Sequence, residues 1–314
     1  MRQFRIAGRR IADDEPCYVV AEVGCNHQGD VGTALALIRA AHRAGADAVK
    51  FQKRENHTLY SPEMLAQPYA YEQSFGETYG AHRQQLEFAP TTYRDDLLPL
   101  ADDLGIPLFA TAFDETSADE LVALKVPAIK LASGALTDKR LIQHVASCGL
   151  PTLLSTGGGT EADVDRAVQW FDAEKDAPLG LNLALLHCTA SYPTAFHELN
   201  LRCILTLRTR YPELVIGWSG HDSGIAMALI AWAFGARIID KHFTLNRAMK
   251  GTDHSFSLEP AGFTKLMRDL RRTEIAVGDG VKIFYESERA PLAKMRRVET
   301  ETGRWQITGQ LRPH

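Results

Sequence analysis

The sequence predicts an α/β protein built as a (β/α)8 TIM barrel, with an N-terminal hairpin ahead of the barrel and a short C-terminal tail behind it. Three observations carry this reading. Short apolar runs alternate with amphipathic stretches eight times between residues 18 and 277, as parallel strands buried on both faces and covered by helices do. Glycine closes several of the helical stretches, in Ala44-Gly45-Ala46, Leu104-Gly105-Ile106, Cys148-Gly149-Leu150 and Phe234-Gly235-Ala236. Polar or charged residues stand at the carboxyl end of every apolar run, which suits a barrel whose site lies at that end. An open doubly wound sheet competes, but no GxGxxG follows the first strand.

The elements follow in order. Residues 1–17 read as a hairpin turning near Gly8, a lid for the bottom of the barrel. The strand at 18–23 leads to a helix at 31–44 and a second strand at 46–52. Residues 54–90 are rich in Tyr, Gln, Pro and Gly without sustained periodicity, and so read as a long loop covering substrate. Helix 92–104, strand 107–112, helix 117–124, strand 128–132, helix 138–147 and strand 152–156 come next. Helix 161–171, strand 181–188, helix 200–211, strand 214–218, helix 225–234, strand 237–242 and helix 260–277 complete the barrel domain of residues 18–277. Residues 278–314, with few apolar and many charged side chains, read as a tail or a small attached element.

A chain of 314 residues, 45% hydrophobic and 24% charged, is long enough for one such barrel, which commonly takes about 250 residues. The net charge of −4 gives no electrostatic reason to expect nucleic acid or an anionic membrane as partner. Five cysteines without CxxC spacing fit a reducing compartment better than a disulfide framework. The polar, basic first ten residues carry no secretory apolar region, and no apolar run approaches the roughly 20 residues of a membrane span, so the expectation is a cytoplasmic protein.

The strand ends offer Glu22, then Lys50 and Gln52, Thr111, Lys130 with Ser133, Ser155 and Thr156, His187 and Thr189, Ser219 and His221, and finally Asp240 and His242. Strand alternation puts Lys50 and Gln52 on one face, and likewise Asp240 and His242, with Lys241 on the opposite face. A charge inside a barrel must be paired, solvated or bound to a ligand. Each lysine taken alone is explained by pairing with Glu22 or Asp240; the ring of charges taken together reads as a site. The lysines, Ser133, Ser155 and the turn Gly157-Gly158-Gly159 ahead of a helix suit an anionic, phosphorylated small molecule. A lone histidine is more often a core residue. His221 and His242, at the ends of successive strands with Glu22 and Asp253 at hand, read as a site for a divalent ion with mixed nitrogen and oxygen ligands. His254, Asp222, His187 and His27 are weaker candidates.

Several segments carry a resemblance: residues 21–30 (AEVGCNHQGD), 44–52 (AGADAVKFQ), 130–134 (KLASG), Leu186-His187-Cys188-Thr189 with Tyr192-Pro193-Thr194, 217–221 (GWSGH), Lys241-His242-Phe243-Thr244, and Asp253-His254 with Ser257-Leu258-Glu259-Pro260. In that order, over about residues 18–290, the sequence resembles the sialic acid synthase (N-acetylneuraminate synthase) family, in its barrel domain only, without the family's C-terminal antifreeze-like domain. The resemblance implies a homodimeric enzyme that condenses phosphoenolpyruvate with an aldose, such as an N-acylated amino sugar, using manganese or magnesium. The products would be a 3-deoxy-2-keto acid and phosphate. By the same resemblance His221 and His242 hold the metal; Lys50, Lys130, Thr111, Ser133, Ser155 and Ser219 bind phosphoenolpyruvate. Gln52, Phe113, Tyr192, Asp240 and Asp253 shape the sugar site, and Glu22 positions or activates water. The chain departs from the family pattern at Ser133-Gly134-Ala135, where Ser-Gly-Glu is usual and a carboxylate would face the reacting centre, and at Ala190, where Asn or Ser is usual. Two other readings compete: a Schiff-base aldolase acting through Lys50 or Lys130, and a non-catalytic sugar-phosphate binder, which Ala135 and Ala190 motivate.

Overall fold

The computed structural model describes residues 2–174, 177–307 and 309. At its start β1 (Gln3–Ile6) and β2 (Arg9–Ala12) pair antiparallel around Ala7 and Gly8, both at positive φ. Arg9 pairs with Asp47, and Asp13 with Arg208 and Arg237; Asp47 and Arg237 stand just before barrel strands. These ties place the hairpin at the amino-terminal end of the barrel, away from the strand ends that carry the charges.

The eight apolar runs form eight parallel strands: β3 (Tyr18–Gly24), β4 (Ala48–Lys53), β5 (Leu108–Ala112), β6 (Ile129–Leu131), β7 (Thr152–Ser155), β8 (Leu183–Cys188), β9 (Val215–Gly220) and β10 (Ile238–His242). They close in sequence order, with β10 returning to β3, and the protein is a (β/α)8 barrel. Register sets the site before any side chain is considered. His242 lies opposite Glu22, Glu22 opposite Lys50, Thr111 opposite both Gln52 and Lys130, and Asp240 opposite Ser219. Every residue of β3, β8, β9 and β10 is buried, because side chains that point inward fill the barrel and those that point outward meet the helices.

Several helices start at a capping side chain. Asp30 caps α1 (Val31–Arg43), accepting from the Thr33 amide. The segment read as a structureless loop instead contains α2 (Asn56–Leu59), α3 (Pro62–Leu65) and α4 (Tyr79–Gln85), capped by Glu55, Ser61 and Thr78. Helices of one or two turns are too short to show a 3.6-residue period, so only their caps betray them. The segment is packed down: a Cβ on Gly29, at φ 76°, would lie 1.9 Å from the carbonyl oxygen of Gln85. Next, α5 (Pro90–Thr92), a π turn at Tyr93–Leu97 and α6 (Leu98–Leu104) form one interrupted helix. Within the π turn, the Tyr93 hydroxyl reaches the carbonyl of Gln52 at 3.0 Å, beside the site.

Asp114 and Asp138 cap α7 (Glu115–Ala123) and α8 (Lys139–Ser147), and α9 is Glu161–Glu174. The start expected at residue 181 for the next strand moves to Leu183, because Pro178 opens the single turn α10 (Leu179–Asn182). After β8 come α11 (Cys203–Arg210), α12 (Ala226–Ala233) and α13 (Pro260–Ala276). The chain divides into two compact units between Thr273 and Glu274. The second holds α14 (Glu286–Met295) and a hairpin of β11 (Arg297–Glu299) and β12 (Trp305–Ile307), with Ile275, Val281, Met295 and Trp305 exposed. Among the described residues no helix is long and apolar enough to cross a membrane.

Candidate active site

At the carboxyl ends of the strands lies a cavity of about 360 Å³. Glu22, Lys50, Gln52, Thr111, Phe113, Lys130, Ser133, Ser155, Tyr192, Ser219, His221, His242 and Asp253 line it, whereas Thr156, His187 and Thr189 line a neighbouring cavity, and Asp240 sits deeper, paired with both lysines. Glu22, Lys50, Lys130 and Asp240 form one buried cluster of alternating sign. Lys50 pairs with Glu22 and lies 3.5 Å from Asp240; Lys130 pairs with Asp240 and donates to Ser219 Oγ at 3.1 Å. Gln52 donates to the second oxygen of Glu22 at 2.8 Å, and Thr111 Oγ1 lies 3.4 Å from Lys50 Nζ.

The four groups do not share their charge equally. Burial raises the pKa of Glu22, which Lys50 only partly offsets, and burial lowers that of Lys50. Both shifts act against the charged forms of the pair. Asp240 is also desolvated, but Lys130 and Lys50 overcome that and hold it well below the usual carboxylate range. Burial opposes charge on Lys130 too, and Asp240 reverses the balance and raises it. Asp240 and Lys130 thus favour each other's charged forms, whereas burial opposes charge on Glu22 and Lys50.

Three buried polar atoms here have no hydrogen-bond partner among the described residues: Ser155 Oγ, Asp240 Oδ1 and His242 Nδ1. Buried polar atoms are rarely left unmatched, so their presence around one cavity marks groups that wait for a ligand. The histidines fit a metal ion. Burial pushes His221 down to about 3 and His242 down to about 4, so both are neutral imidazoles, the form that ligates metals. His221 Nδ1 bonds the carbonyl of Thr189 at 2.9 Å, which makes Nδ1 the protonated nitrogen and leaves Nε2 its lone pair. The rings lie 5.4 Å apart between centroids, and Asp253 Oδ2 is 3.7 Å from His242 Nδ1. Another His/Cys/Asp cluster among the described residues, Asp119, His144 and Cys148, belongs to α7 and α8 and does not line the cavity.

Some expectations are corrected. The glycine turn does not cradle this site: the Gly157 amide is bonded to Ser133 Oγ at 3.1 Å, and Gly158 and Gly159 line a neighbouring cavity of about 280 Å³ with His187. Glycine is needed at 157 because Ser133 closes in, and a Cβ there would come within 2.6 Å of its Oγ. Ala135 packs against the hydrophobic core and does not line the cavity, whereas Ala190 does. His187 bonds Leu199 O, His254 bonds Thr244 and His27 stacks on Phe88, all of them structural. Asp222 pairs with Lys241 outside the cavity.

Sequence reasoning missed Arg54, Arg83, Cys25, Thr252 and Cys188, which also line the cavity. The alternation that grouped Lys50 with Gln52 would have reached Arg54 one step further on. Arg54 is held by Glu87 at 3.0 Å and lies 3.7 Å from the Phe113 ring centre. Arg83 comes from α4, bonded to the Tyr79 hydroxyl, and gave no signal. Tyr192, 55% exposed, lays its ring 4.2 Å from that of His221 and walls the cavity.

Residues 37–282 match the family model described as NeuB family. The chain belongs to the NeuB family. Among its relatives, the human N-acetylneuraminate-9-phosphate synthase is 38% identical over 283 residues, 90% of this chain and 77% of that protein. The N,N'-diacetyllegionaminic acid synthase of Legionella pneumophila is 34% identical over 286 residues, 90% of this chain and 80% of that protein. The solved N-acetylneuraminic acid (sialic acid) synthetase of Leptospira borgpetersenii serovar Hardjo-bovis, in complex with citrate, superposes with a TM-score of 0.77 at 31% identity, covering 93% of this chain and 95% of that one. NeuB membership agrees with the resemblance carried by the strand-end motifs.

Proposed function

We propose that the chain condenses phosphoenolpyruvate with an aldose, an N-acylated amino sugar, in a reaction that depends on manganese or magnesium held by His221 and His242. The broader class is that of its family: a phosphoenolpyruvate-dependent synthase that forms a carbon–carbon bond. That class favours condensation over the Schiff-base and non-catalytic readings. The observation that carries the finer proposal is the buried Glu22–Lys50–Asp240–Lys130 cluster, set beside two neutral histidines and three unpartnered polar atoms.

Lys50 and Lys130, with Thr111, Ser133, Ser155 and Ser219, bind the phosphate and carboxylate of phosphoenolpyruvate and stabilise the charge that develops there. Gln52, Phe113, Tyr192 and Asp253 orient the sugar so that the enol carbon faces its aldehyde carbon. A bound divalent ion would supply Lewis-acid polarisation of the aldehyde oxygen. The enol carbon attacks the aldehyde carbon, whose oxygen takes up a proton from the Lys50–Glu22 pair, which the water of the next step restores. Water adds at C2 and gives its proton to Glu22, whose raised pKa makes it a competent base, with Lys50 as the adjoining proton carrier. The C2–oxygen bond to the phosphate then breaks as the C2 hydroxyl passes its proton to the departing phosphate, leaving a ketone and inorganic phosphate. Asp240 stays ionised throughout and fixes both ammonium groups.

The test is release of phosphate from phosphoenolpyruvate in the presence of manganese and N-acylated aldoses. Activity should need the aldose, vanish with a chelator and return with added metal. Phosphate release that survives chelation removes the metal role, and borohydride trapping of substrate on Lys50 or Lys130 reinstates the Schiff-base reading.

A further inference from the structure

Two buried charges that this chemistry does not use stand directly behind the histidines. Along β9 and β10 the side chains alternate: Ser219, His221 and His242 line the cavity and Asp240 lies beneath it, so Asp222 and Lys241, each next in sequence to a histidine, project to the other side of the strands. Both side chains are 1% exposed. Lys241 Nζ donates to the carboxylate of Asp222 and, at 2.5 Å, to its backbone carbonyl oxygen. Its ammonium lies 5.3 Å from the centre of the Trp218 ring. Gly220 makes room for that ring, since a Cβ at 220 would come within 2.2 Å of it.

Stability alone does not explain such a pair, because taking both charges out of water is costly and a well-packed apolar pair commonly serves as well. What it does fix is a backbone. The pairing of β9 with β10 ends at Lys241 opposite Gly220, and β9 itself ends at Gly220. His221 and Asp222 therefore lie past the last rung of the ladder, whereas His242 is still inside β10. Across that gap the Lys241 side chain grips the carbonyl and carboxylate of Asp222. On the other side, the Thr194 amide donates to the His221 carbonyl at 3.1 Å and Thr189 takes the His221 ring nitrogen.

We propose that Asp222 and Lys241 are a positioning pair that sets the spacing of His221 and His242, and thereby the affinity of the site for its divalent ion. This rests on the reading of the two histidines as the ligands. The pair acts through backbone placement, and neither residue touches substrate or metal.

The experiment measures manganese affinity by calorimetry in the absence of substrate, on the full chain, for the parent and for the double variant Lys241→Met/Asp222→Asn, which removes both charges and keeps the volume. Loss of a ligand's own hydrogen-bond partner typically weakens binding about 10- to 100-fold; this pair acts one step further out, through the backbone, and a weakening of about 10-fold is expected, with phosphoenolpyruvate affinity within about twofold of the parent. A folded double variant that binds manganese as tightly as the parent overturns the proposal. Equal loss of phosphoenolpyruvate and manganese binding also overturns it, because a general structural defect would then explain both. Should the double variant not fold, Asp222→Asn alone keeps the backbone carbonyl contact: an intermediate affinity supports the proposal and parental affinity refutes it. A parent that binds no manganese refutes the histidine reading and this inference with it, a result distinct from a binding parent with an unaffected variant.

Discussion

Replacing Asp240 with asparagine tests the cluster at its anchor. The carboxylate bonds Lys130, lies 3.5 Å from Lys50 and accepts from Ser219 at 3.2 Å, in a place 2% exposed. Asparagine keeps the shape and removes the charge, leaving two buried ammonium groups with Glu22 as their sole carboxylate in the cluster. Breaking a buried pair by removing one partner costs about 3–5 kcal/mol. For the unit ending at Thr273, an unfolding entropy of about 2.1 cal/mol/K per residue turns that loss into a fall in Tm of about 5–9 °C. Calorimetry of the metal-free protein measures it. Adding Lys130→Met to Asp240→Asn should restore most of the loss, because replacing the whole pair is often neutral. The folded pKa of Asp240 is depressed, so its contribution is present above the unfolded value of about 3.9 and is lost as pH falls below it. The Tm difference should accordingly be flat from about pH 5 upward and shrink in stronger acid. An Asp240→Asn variant that melts within about 1 °C of the parent at neutral pH would refute the reasoning, since two ammonium groups left with one carboxylate should cost several times that.

Other consequences are simpler to check. Ser155 Oγ has no hydrogen-bond partner among the described residues, so Ser155→Ala should leave Tm unchanged yet raise the KM for phosphoenolpyruvate about 2- to 13-fold, the loss of one ordinary hydrogen bond to ligand. Unchanged KM would remove Ser155 from the site. His27 is held down to about 3 by burial, so it resists protonation when folded but takes a proton near pH 6.5 when unfolded. Between those values stability falls with pH, by about 3 kcal/mol at pH 4 from this group, and His27→Phe should show a shallower decline in chemical denaturation. An equally steep decline would contradict the assignment. Arg54→Met should impair the aldose more than phosphoenolpyruvate, because Arg54 holds Gln52 and lies against Phe113, both placed on the sugar side. A change confined to phosphoenolpyruvate would reverse the placement.

What the sequence could show depended on how local the signal was. The strand ends were legible because a buried parallel strand is a continuous apolar run, and a charge closing such a run is conspicuous: Lys50, Lys130, Asp240 and His242 were all found this way. Glu22 paired with Lys50 as neighbouring strands require. The depth of Asp240 was not legible, since alternation tells which face a side chain takes and not which layer of the barrel it fills. Arg83 was invisible because it sits on a helix of seven residues with no period of its own. The glycine turn misled for a tertiary reason, as Ser133 from another strand end occupies the Gly157 amide. Ala135, read as a lost carboxylate at the reacting centre, stands in the turn of 3-10 helix at Ser133–Ala135, partly buried against the core.

The most direct test of the central claim is to follow phosphate and 2-keto acid together while phosphoenolpyruvate, manganese and a panel of N-acylated aldoses are supplied to the protein. The expected result is equimolar phosphate and keto acid with at least one aldose, none without it, and loss of both products in His221→Ala and His242→Ala variants that remain folded. Phosphate released without an aldose, or products formed undiminished by either histidine variant, would contradict it.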